Sequence, residues 1–397
     1  MRGDGHESSK KPASADKTTS SSHAAAAAAA KKAAGKRANL PQLTADLERF
    51  DRELVKLIAR RSEAAIKLSE LTADPDDDGL HAAIPSEAAQ LEAALAQHAG
   101  PLSIESVRAV FLELLAGVRT VRKPQRVAFL GPSYSYSHLA TLERFGHAAH
   151  LVPLSSIPAV FEAVNRGDAA VGIVPLENST DGRIVDTLDM FTRLPVRICG
   201  EIQIRIHHCL LAKCKRDEIT QVYSRPQALS QCRDWLAKQL GSARQISMTS
   251  TAAAAELARD KPGAAAIASR EAGVHYGLEV VAENIEDNAS NVTRFAVISN
   301  QSAPRTGKDK TALMFQVPHE SGALADALTI FKKQNLNLSW VESFPIPHQR
   351  DGYLFFVEVN GHSDDEPVRK ALDSLAKRTL RLEVLGSFPS SEVPAES

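Results

Sequence analysis

Hydrophobic residues are spaced at helical intervals in the first third of the chain. The apolar positions from Leu43 to about Leu71 recur every three or four residues, which predicts one long amphipathic helix. Two shorter helical patterns follow at about 85–98 and 104–121, and no strand pattern separates them. Residues 39–123 are therefore predicted to form an all-α domain.

The residues before this pattern have a different character. Residues 1–38 contain eight Lys and Arg against three Asp and Glu, include the alanine run from Ala24 to Ala30, and lack the apolar stretch of a secretory signal. Asn39 suits an N-cap, with Gln42 three residues later. We therefore expect a disordered basic tail over 1–38 and ordered structure from Asn39 onward.

Short apolar segments alternate with helical segments through the middle of the chain. The predicted strands are 126–131, 150–154, 169–176, 202–211, 221–223, 245–248 and 264–268, and helices are predicted near 227–239 and 251–260. This alternation predicts an α/β domain over 126–300. It would contain a largely parallel sheet or two, with ligands at the carboxyl ends of the strands.

The pattern changes again after a polar linker. A strand at 311–317 and a helix at 322–335 are followed by two strands, another helix and a last strand. This βαββαβ order over 309–390 predicts an α+β, ferredoxin-like domain. The whole chain is therefore predicted to be multidomain, with all-α, α/β and α+β parts.

Composition and charge restrict the classes of partner. The chain has 397 residues, 43% of them hydrophobic, and a formal net charge of -1, so we expect globular domains and no nucleic-acid partner. No apolar run is long enough to span a membrane.

The four cysteines form no C-x-x-C pair, and strand-like alternation places Cys209 and the histidines His207 and His208 on different faces. We therefore predict reduced structural cysteines and no metal site.

Three polar clusters lie next to predicted strands of the α/β domain. They are Glu177, Asn178, Ser179 and Thr180 after one strand, Ser250 and Thr251 at the start of a helix, and Thr293 and Arg294 at the head of the last strand. Free N–H groups at a helix start favour an anion, although Ser or Thr there is also the ordinary N-cap. Together the clusters predict a cleft that binds carboxylates.

The order of several motifs resembles one family. The segments "RVAFLGPSYSYSHLA", "VPLENSTDGRI", "YSRPQALSQC", "STAAA" and "NVTRF" are similar to the prephenate dehydratase domain of the P-protein family. Residues 39–123 resemble its helical chorismate mutase domain, and 309–390 resemble its ACT regulatory domain. The resemblance implies a two-lobed, periplasmic-binding-protein-like dehydratase domain with the active site between the lobes. It also implies no cofactor, a cytoplasmic location, and a homodimer or higher homo-oligomer.

The resemblance implies roles for individual residues. Thr293 is implied to be the catalytic group that hydrogen-bonds or protonates the leaving hydroxyl of prephenate. The residues implied to contact the substrate are Glu177, Asn178, Ser179, Gln227, Ser250, Thr251 and Arg294. Two interpretations of Arg294 remain, because it either attracts the substrate dianion or pairs structurally with Glu177.

The sequence departs from the family at several positions. Arg225 stands where many relatives carry His, and Tyr134 lies in a loop where the family usually has Gly, so a positive φ there would strain Tyr134. In the helical domain Arg61 remains, whereas Thr44 and Thr72 occupy positions of a mutase arginine and lysine. We therefore expect a degenerate mutase-like domain. A bifunctional enzyme in which other basic residues replace the lost groups is the alternative.

The ACT-like domain carries the predicted regulatory site. The residues implied to bind phenylalanine at a dimer interface are Gly322, Ala323, Leu324, Asn337, Leu338, Glu342 and Ser343. Phe344 replaces the arginine of the family's second ACT motif. The expected function is a prephenate dehydratase that phenylalanine inhibits, and a bilobal sensor that binds ligands without turnover is an alternative of another class.

Overall fold

The N-terminal part of the protein is a long helix. The computed structural model describes residues 18–72, 91, 93–122, 125–180, 182–346 and 352–391. Helix α1 spans Thr18–Thr72, so the predicted helix start at Asn39 is wrong, and residues 18–38 of the predicted disordered tail are helical. The alanine-rich run explains the difference, because alanine has the highest helix propensity. The remainder of the tail, residues 1–17, lies outside the described residues.

A second helical element precedes the first strand. Helix α2 spans Ile104–Arg122, which confirms the predicted third helix. Residues 91 and 93–95 are also helical, whereas residues 85–90 and 92, half of the predicted second helix, lie outside the described residues. Leu91, Leu95 and Leu115 form a small apolar core beside α2.

The first lobe is an α/β unit around a six-stranded sheet. Its elements are β1 Arg126–Leu130, α3 Tyr136–Phe145, β2 His150–Leu154, α4 Ile157–Asn165, β3 Val171–Asn178, β4 Gly182–Arg183, α5 Val185–Arg193, β5 Arg197–Arg205 and β11 Val292–Ser299. The strand order is β2-β1-β3-β11-β5, with β4 beside β3. β1 is parallel to β2 and β3, whereas β11 is antiparallel to β3 and β5. Gly172 of β3 lies where a Cβ would meet Val160, Val164 and Ile298, so helix α4 packs closely on the sheet.

The second lobe is built around a five-stranded sheet. Its elements are β6 Cys209–Ala212, β7 Gln221–Ser224, α6 Pro226–Gln231, α7 Arg233–Gln239, β8 Arg244–Ser247, α8 Thr251–Asp260, β9 Ala264–Ala268, α9 Arg270–Tyr276 and β10 Glu279–Ala282. The strand order is β10-β6-β9-β7-β8, parallel from β9 to β8 and antiparallel on the other side. Helices α6 and α7 replace the single helix predicted at 227–239, because the helix is interrupted at Cys232.

The chain passes between the lobes twice. The first crossover, residues 206–208, joins β5 to β6, and the second, residues 283–291, joins β10 to β11. The two crossovers lie side by side, since the Ile206 backbone N–H donates to the Asn291 carbonyl at 2.8 Å. The prediction of one strand over 202–211 is therefore wrong. Burial continues to alternate from residue to residue over 202–208, so the alternating pattern does not reveal the break.

The C-terminal domain has the predicted βαββαβ order. Its elements are β12 Asp309–Gln316, α10 Ala323–Lys333, β13 Leu338–Pro345, β14 Tyr353–Asn360, α11 Glu366–Ala376 and β15 Arg381–Pro389. The antiparallel sheet has the order β13-β14-β12-β15. Leu313, Phe315 and Phe331 pack with the helices on one face. Met314 and Phe356 on the opposite face join the core of the first lobe.

The C-terminal sheet and the first lobe approach each other closely through backbone at Gly386. Gly386 of β15 has a φ of 148°, and a Cβ added to it would overlap the carbonyl oxygen of Ile198 in β5. A glycine is therefore required where these two strands meet.

Candidate active site

The polar ends of β3 and β11 lie side by side in the first lobe. In the antiparallel register Thr293 is opposite Asn178, and Arg294 is opposite Glu177. This register is fixed by the burial of both strands. A shift by one residue would move every side chain of the strand to the opposite face of the sheet. Two of the three polar clusters seen in the sequence therefore meet at one place.

The hydroxyl of Thr293 accepts a hydrogen bond from Asn178. Asn178 Nδ2 lies 2.8 Å from Thr293 Oγ1, and the Thr180 backbone N–H donates to Asn178 Oδ1 at 2.9 Å. The backbone donor identifies the oxygen side of this amide, so the NH2 group must face Thr293. Because Oγ1 accepts this bond, the Thr293 proton can be donated to another group.

Two further amides extend the contact toward the second lobe. Asn178 Nδ2 also donates to Asn291 Oδ1 at 2.9 Å, and Asn291 Nδ2 donates to Gln231 Oε1 at 3.1 Å. Gln231 ends α6, so these hydrogen bonds connect the two lobes. Neither Asn291 nor Gln231 is among the site residues predicted from the sequence. The available signal was their position inside the motifs "YSRPQALSQC" and "NVTRF".

Arg294 is the centre of a buried ion cluster. Its Nη1 lies 2.6 Å from Glu358 Oε1 and 3.2 Å from Glu201 Oε2, and its Nη2 lies 3.3 Å from Glu177 Oε2. Lys310 Nζ contacts Glu201 Oε1 at 2.9 Å. The structural pairing with Glu177 is thus present, and two more carboxylates share the guanidinium. Because Glu358 and Lys310 belong to the C-terminal domain, the cluster also joins that domain to β11.

Ser179 extends the pairing of β3 and β11 at the exposed edge of the site. Its hydroxyl accepts from the Val292 backbone N–H at 3.0 Å and lies 3.3 Å from the Ser290 carbonyl. Glu177 is half-buried beside it. The hydroxyl of Ser179 therefore supports local backbone structure whatever else it binds.

The predicted substrate contacts of the second lobe lie at helix starts. Ser250 is the N-cap of α8, and its Oγ accepts from the Ala253 backbone N–H at 3.0 Å. Thr251 is the first residue of α8 and is buried. Gln227 lies in the first turn of α6 and is exposed. The N-cap interpretation of Ser250 is therefore realised, and contacts of these three residues with substrate stay a prediction.

Tyr134 has the positive φ that was expected to strain a residue other than glycine in this loop. Its φ is 64°, a region that favours glycine. Its ring stacks on His275 of α9 in the second lobe, with 3.8 Å between ring centroids. Its backbone N–H donates to His138 Nδ1 at 3.0 Å, and burial lowers the pKa of His138, which favours the neutral, accepting ring. The tyrosine thus makes an aromatic contact between the lobes that glycine cannot make.

The predicted phenylalanine site is divided between a loop and a cavity. Gly322 precedes α10 with a φ of 86°, and Ala323 and Leu324 form the first turn of the helix. A cavity of about 420 Å³ lies between α10 and β13. It is lined by Leu328, Phe331, Lys332, Asn335, Leu336, Asn337 and Leu338. Asn337 and Leu338 of the predicted set therefore line this cavity, whereas the Gly322 loop does not.

The segment predicted to be the second ACT motif contacts the first lobe. Arg183 of β4 pairs with Glu342 at 2.9 Å, and Ser343 is exposed on β13. Phe344 is buried and makes an edge contact with Phe356, with 6.1 Å between ring centroids. Phe344 therefore adds apolar packing between the C-terminal sheet and the first lobe in place of a cation.

The helical region contains the residue predicted as a mutase remnant. Arg61 lies in α1 and is half-buried. Thr44, one of the departures from the family, lies in the same helix and bonds the Leu40 carbonyl at 2.9 Å. A role for Arg61 in binding stays a prediction.

The cysteines have the properties of structural thiols. Burial raises the pKa of Cys199 to about 12 and that of Cys209 to about 11. His207 Nδ1 contacts Glu286 Oε1 at 2.8 Å. In the part of the chain that the structure describes, no group of three His, Cys, Asp or Glu side chains is arranged to hold a metal. Among the same residues, no helix combines the length and apolar character needed to cross a membrane.

Fold and site together define a class of protein. Two α/β lobes joined by two crossovers, with a polar site at the end of a buried strand, are typical of proteins that bind a small molecule between lobes. The oriented hydroxyl of Thr293 and the fused α+β domain indicate an enzyme with a regulatory domain.

Comparison with known proteins identifies the family. Residues 127–303 match the prephenate dehydratase family, and residues 311–377 match the ACT domain. The bifunctional chorismate mutase/prephenate dehydratase of Aquifex aeolicus is 37% identical over 358 residues, which cover 89% of this chain and 98% of that protein. The chain therefore belongs to the P-protein family and is a prephenate dehydratase, as the motifs implied.

Solved structures agree with this assignment. The prephenate dehydratase of Arthrobacter aurescens in complex with L-Phe is 33% identical, with a TM-score of 0.62, and the match covers 67% of this chain and 90% of that one. GqqA, described as a novel type of quorum quenching acylase, is 29% identical with a TM-score of 0.62, covering 67% of this chain and 98% of that one. A shared fold does not determine a reaction, so the assignment rests on the sequence matches.

Proposed function

We propose that Thr293 assists departure of the ring hydroxyl when prephenate is converted to phenylpyruvate at the paired ends of β3 and β11. The observation that carries this proposal is the hydrogen bond from Asn178 Nδ2 to Thr293 Oγ1 at 2.8 Å. It occupies the acceptor side of the hydroxyl and leaves the proton to be donated. A donor placed there meets the needs of a leaving group that departs as hydroxide.

The conversion of prephenate to phenylpyruvate requires little covalent chemistry from the protein. Prephenate loses CO2 and its ring hydroxyl together, and formation of the aromatic ring supplies the driving force. The protein has to hold two carboxylates and deliver a hydrogen bond or proton to the leaving oxygen. Because a threonine hydroxyl is a weak acid, Thr293 acts by positioning its hydrogen bond rather than by complete proton transfer.

The substrate carboxylates are proposed to bind opposite Thr293. Ser250 and Thr251 begin the ten-residue helix α8, whose free N–H groups favour an anion. Ser179 and Gln227 are exposed polar groups suited to the remaining substrate oxygens. Arg294 is left out of this set, because its guanidinium already contacts three carboxylates.

Replacement of Thr293 by valine tests the proposal. Valine keeps the shape and removes the hydroxyl, so we expect kcat for prephenate to fall by about 10²–10³, the range for one lost hydrogen-bond donor to a developing charge, with a small change in KM. Thr192→Val is a matched control, because Thr192 bonds the Asp189 carbonyl within α5. Near-normal kcat in Thr293→Val would show that the hydroxyl has only a structural role.

Phenylalanine is proposed as an inhibitor that binds the ACT domain near Gly322, Asn337 and Leu338. The cavity of about 420 Å³ has a volume in the range of small-molecule sites and several apolar walls. The L-Phe complex of the Arthrobacter aurescens relative supports the same ligand class. Contacts from the ACT sheet to Arg183 and Arg294 give a physical route from this site to β3 and β11.

Calorimetry and kinetics test this regulation together. We expect phenylalanine to bind and to inhibit moderately, since an effector changes affinity only by about 5–150-fold for a coupling of about 1–3 kcal/mol. No heat of binding at millimolar phenylalanine would contradict the site. Binding without a change in prephenate kinetics would retain the site and contradict the coupling.

A second copy of the chain at the β13 edge is part of the proposal, and light scattering measures the expected homodimer.

The helical domain is proposed to be largely inactive as a chorismate mutase. Stabilising the mutase transition state requires several cations around a dicarboxylate, and Thr44 and Thr72 stand at two of these positions. We expect rapid conversion of prephenate and slow or absent conversion of chorismate by the same preparation. Comparable rates for both would establish the bifunctional alternative, and binding of prephenate without turnover would establish the sensor alternative. The proposed site of action is the cytoplasm.

A further inference from the structure

His208 lies in the first crossover, and its ring is buried between the lobes. Its Nδ1 is 2.9 Å from Tyr136 Oη, and its Nε2 is 2.9 Å from Gln231 Oε1. Tyr136 belongs to α3 of the first lobe and Gln231 to α6 of the second. The imidazole therefore connects the lobes at the point where the hydrogen bonds from Thr293 end.

The direction of each hydrogen bond follows from one backbone donor. Because the Thr180 N–H donates to Asn178 Oδ1, the NH2 group of Asn178 faces Asn291 Oδ1. The other side of the Asn291 amide is then its NH2 group, which donates to Gln231 Oε1. That oxygen only accepts, so Nε2 of His208 must carry a proton.

The opposite side of the ring is held by protonated and backbone groups. Burial raises the pKa of Tyr136 well above its usual range, so the phenol stays protonated. The single proton of Tyr136 Oη lies between two acceptors, the His207 carbonyl at 2.7 Å and Nδ1 of the neutral His208 ring at 2.9 Å. The His208 backbone N–H donates to Glu286 Oε2 at 2.8 Å, and the Ile285 N–H donates to the His208 carbonyl at 2.9 Å. The imidazole therefore has a fixed place from which to donate.

We propose that His208 is a positioning residue for the dehydration, acting through the hydrogen bonds that end at Thr293. Its Nε2–H holds the Gln231 amide with the oxygen toward Asn291. Without that donor the Gln231 amide loses a hydrogen bond that favours this orientation, and a turned amide would place two NH2 groups face to face. Asn291 would turn in response, and the NH2 group of Asn178 would lose one of its two acceptors, so its hydrogen bond to Thr293 would shift. The inference rests on the proposed role of Thr293.

Two substitutions separate this role from packing. His208→Gln places an amide nitrogen near the position of Nε2 and retains a donor to Gln231. His208→Asn places its amide near the position of Nδ1 and leaves Gln231 without that donor. We expect His208→Asn to lower kcat about 10–100-fold with KM within about threefold, as for a displaced catalytic group, and His208→Gln to recover kcat to within about fivefold of the native enzyme.

His207 provides a matched control in the same crossover. Its side chain is 41% exposed and pairs with Glu286 at 2.8 Å, outside the path from His208 to Thr293. We expect His207→Asn to keep kcat within about twofold, as for a change that leaves the reacting groups in place. In a Thr293→Val background, His208→Asn should lower kcat no further, because the group through which it acts is gone.

The kinetic outcomes distinguish this inference from the proposed function. Near-normal activity of Thr293→Val overturns the role of Thr293 and the inference that depends on it. Loss of activity in Thr293→Val with native kcat in His208→Asn overturns the His208 inference alone. Equal losses in His208→Asn and His208→Gln also overturn it, because donation at Nε2 would then not matter.

A measurement on the native protein covers the case in which a variant fails to fold. Nitrogen-15 labelling of histidine reports which ring nitrogen of His208 carries a proton, and the contacts of the ring with Tyr136 and Gln231 identify its resonance in the native protein. We expect a one-bond proton coupling at Nε2. A bare Nε2 at the pH of the activity assay overturns the inference.

Discussion

Replacing Glu358 with glutamine removes one charge from the buried ion cluster and leaves the shape of the side chain nearly unchanged. Arg294 Nη1 lies 2.6 and 2.7 Å from the two carboxylate oxygens of Glu358, and an amide retains only one of these acceptors. A hydrogen bond between charged groups contributes about 1.5–3 kcal/mol. The substitution should therefore weaken the attachment of β14 to β11.

Two effects reduce the expected loss. Burial raises the pKa of Glu358 although Arg294 opposes this, so the native state holds the carboxylate at a cost in solvation that glutamine avoids. Arg294 also keeps Glu201 at 3.2 Å and Glu177 at 3.3 Å. We expect Glu358→Gln to lower the free energy of unfolding by about 1–2 kcal/mol.

Thermal unfolding of the full chain measures this change. One kcal/mol lowers Tm by about 2–4 °C in a domain of roughly 150–250 residues, so a decrease of about 2–8 °C is expected. Glu383→Gln is the matched control in the same sheet. Glu383 is 44% exposed and pairs with Arg381 at the surface, so its loss should change stability by less than about 0.5 kcal/mol.

A double-mutant cycle tests the reasoning behind the magnitude. Arg294→Met leaves Glu177, Glu201 and Glu358 close together with Lys310 beside them, so a loss of about 3–5 kcal/mol is expected. Adding Glu358→Gln removes one of these repelling charges, and the double variant should lose less than the sum of the two single variants. A Tm unchanged to within about 1 °C in Glu358→Gln, or strict additivity, would refute the claim that the cluster holds the domains together.

Three further substitutions test the packing. Gly386→Ala should lower the free energy of unfolding by at least about 3 kcal/mol, because its Cβ would overlap the Ile198 carbonyl oxygen. It should also expose the linker before β12 to limited proteolysis, and a variant that resists the protease as well as the native protein would contradict this. Gly172→Ala should cost about 1–3 kcal/mol through overpacking beneath α4, seen as a lower urea midpoint, and an unchanged midpoint would contradict the close packing. Ser250→Ala should cost about 1 kcal/mol through loss of the N-cap bond, measured by urea unfolding, and an unchanged value would show that the cap contributes nothing.

Periodic segments were predictable from the sequence. The helix predicted at 104–121 is observed at Ile104–Arg122, and the βαββαβ order of the ACT domain is confirmed. The strand predicted over 202–211 failed for a physical reason. The two-residue alternation of burial continues through residues 206–208 while the chain leaves one sheet for another, and only tertiary hydrogen bonds reveal the change.

The site was predictable in part. The motif "NVTRF" identified Thr293 as a candidate catalytic residue. The positive φ of Tyr134 agrees with the backbone strain expected where the family usually has glycine. The partners of Arg294 could not be found in this way. Glu201 and Glu358 lie 93 and 64 residues away along the chain, and no local pattern connects acidic residues so far apart.

The two crossovers make the second lobe a single insertion within the first. The strands that flank it, β5 and β11, are paired neighbours, and Ile206 and Asn291 are joined by a backbone hydrogen bond of 2.8 Å. A short bridge would therefore close the first lobe if the inserted segment were removed, as tolerated insertions elsewhere suggest. The lobes are modules in this sense. Exchange of the inserted segment would place a different surface opposite β11, the strand that carries Thr293. The site between the lobes would then bind a different ligand, while the sheet of the first lobe would stay the same.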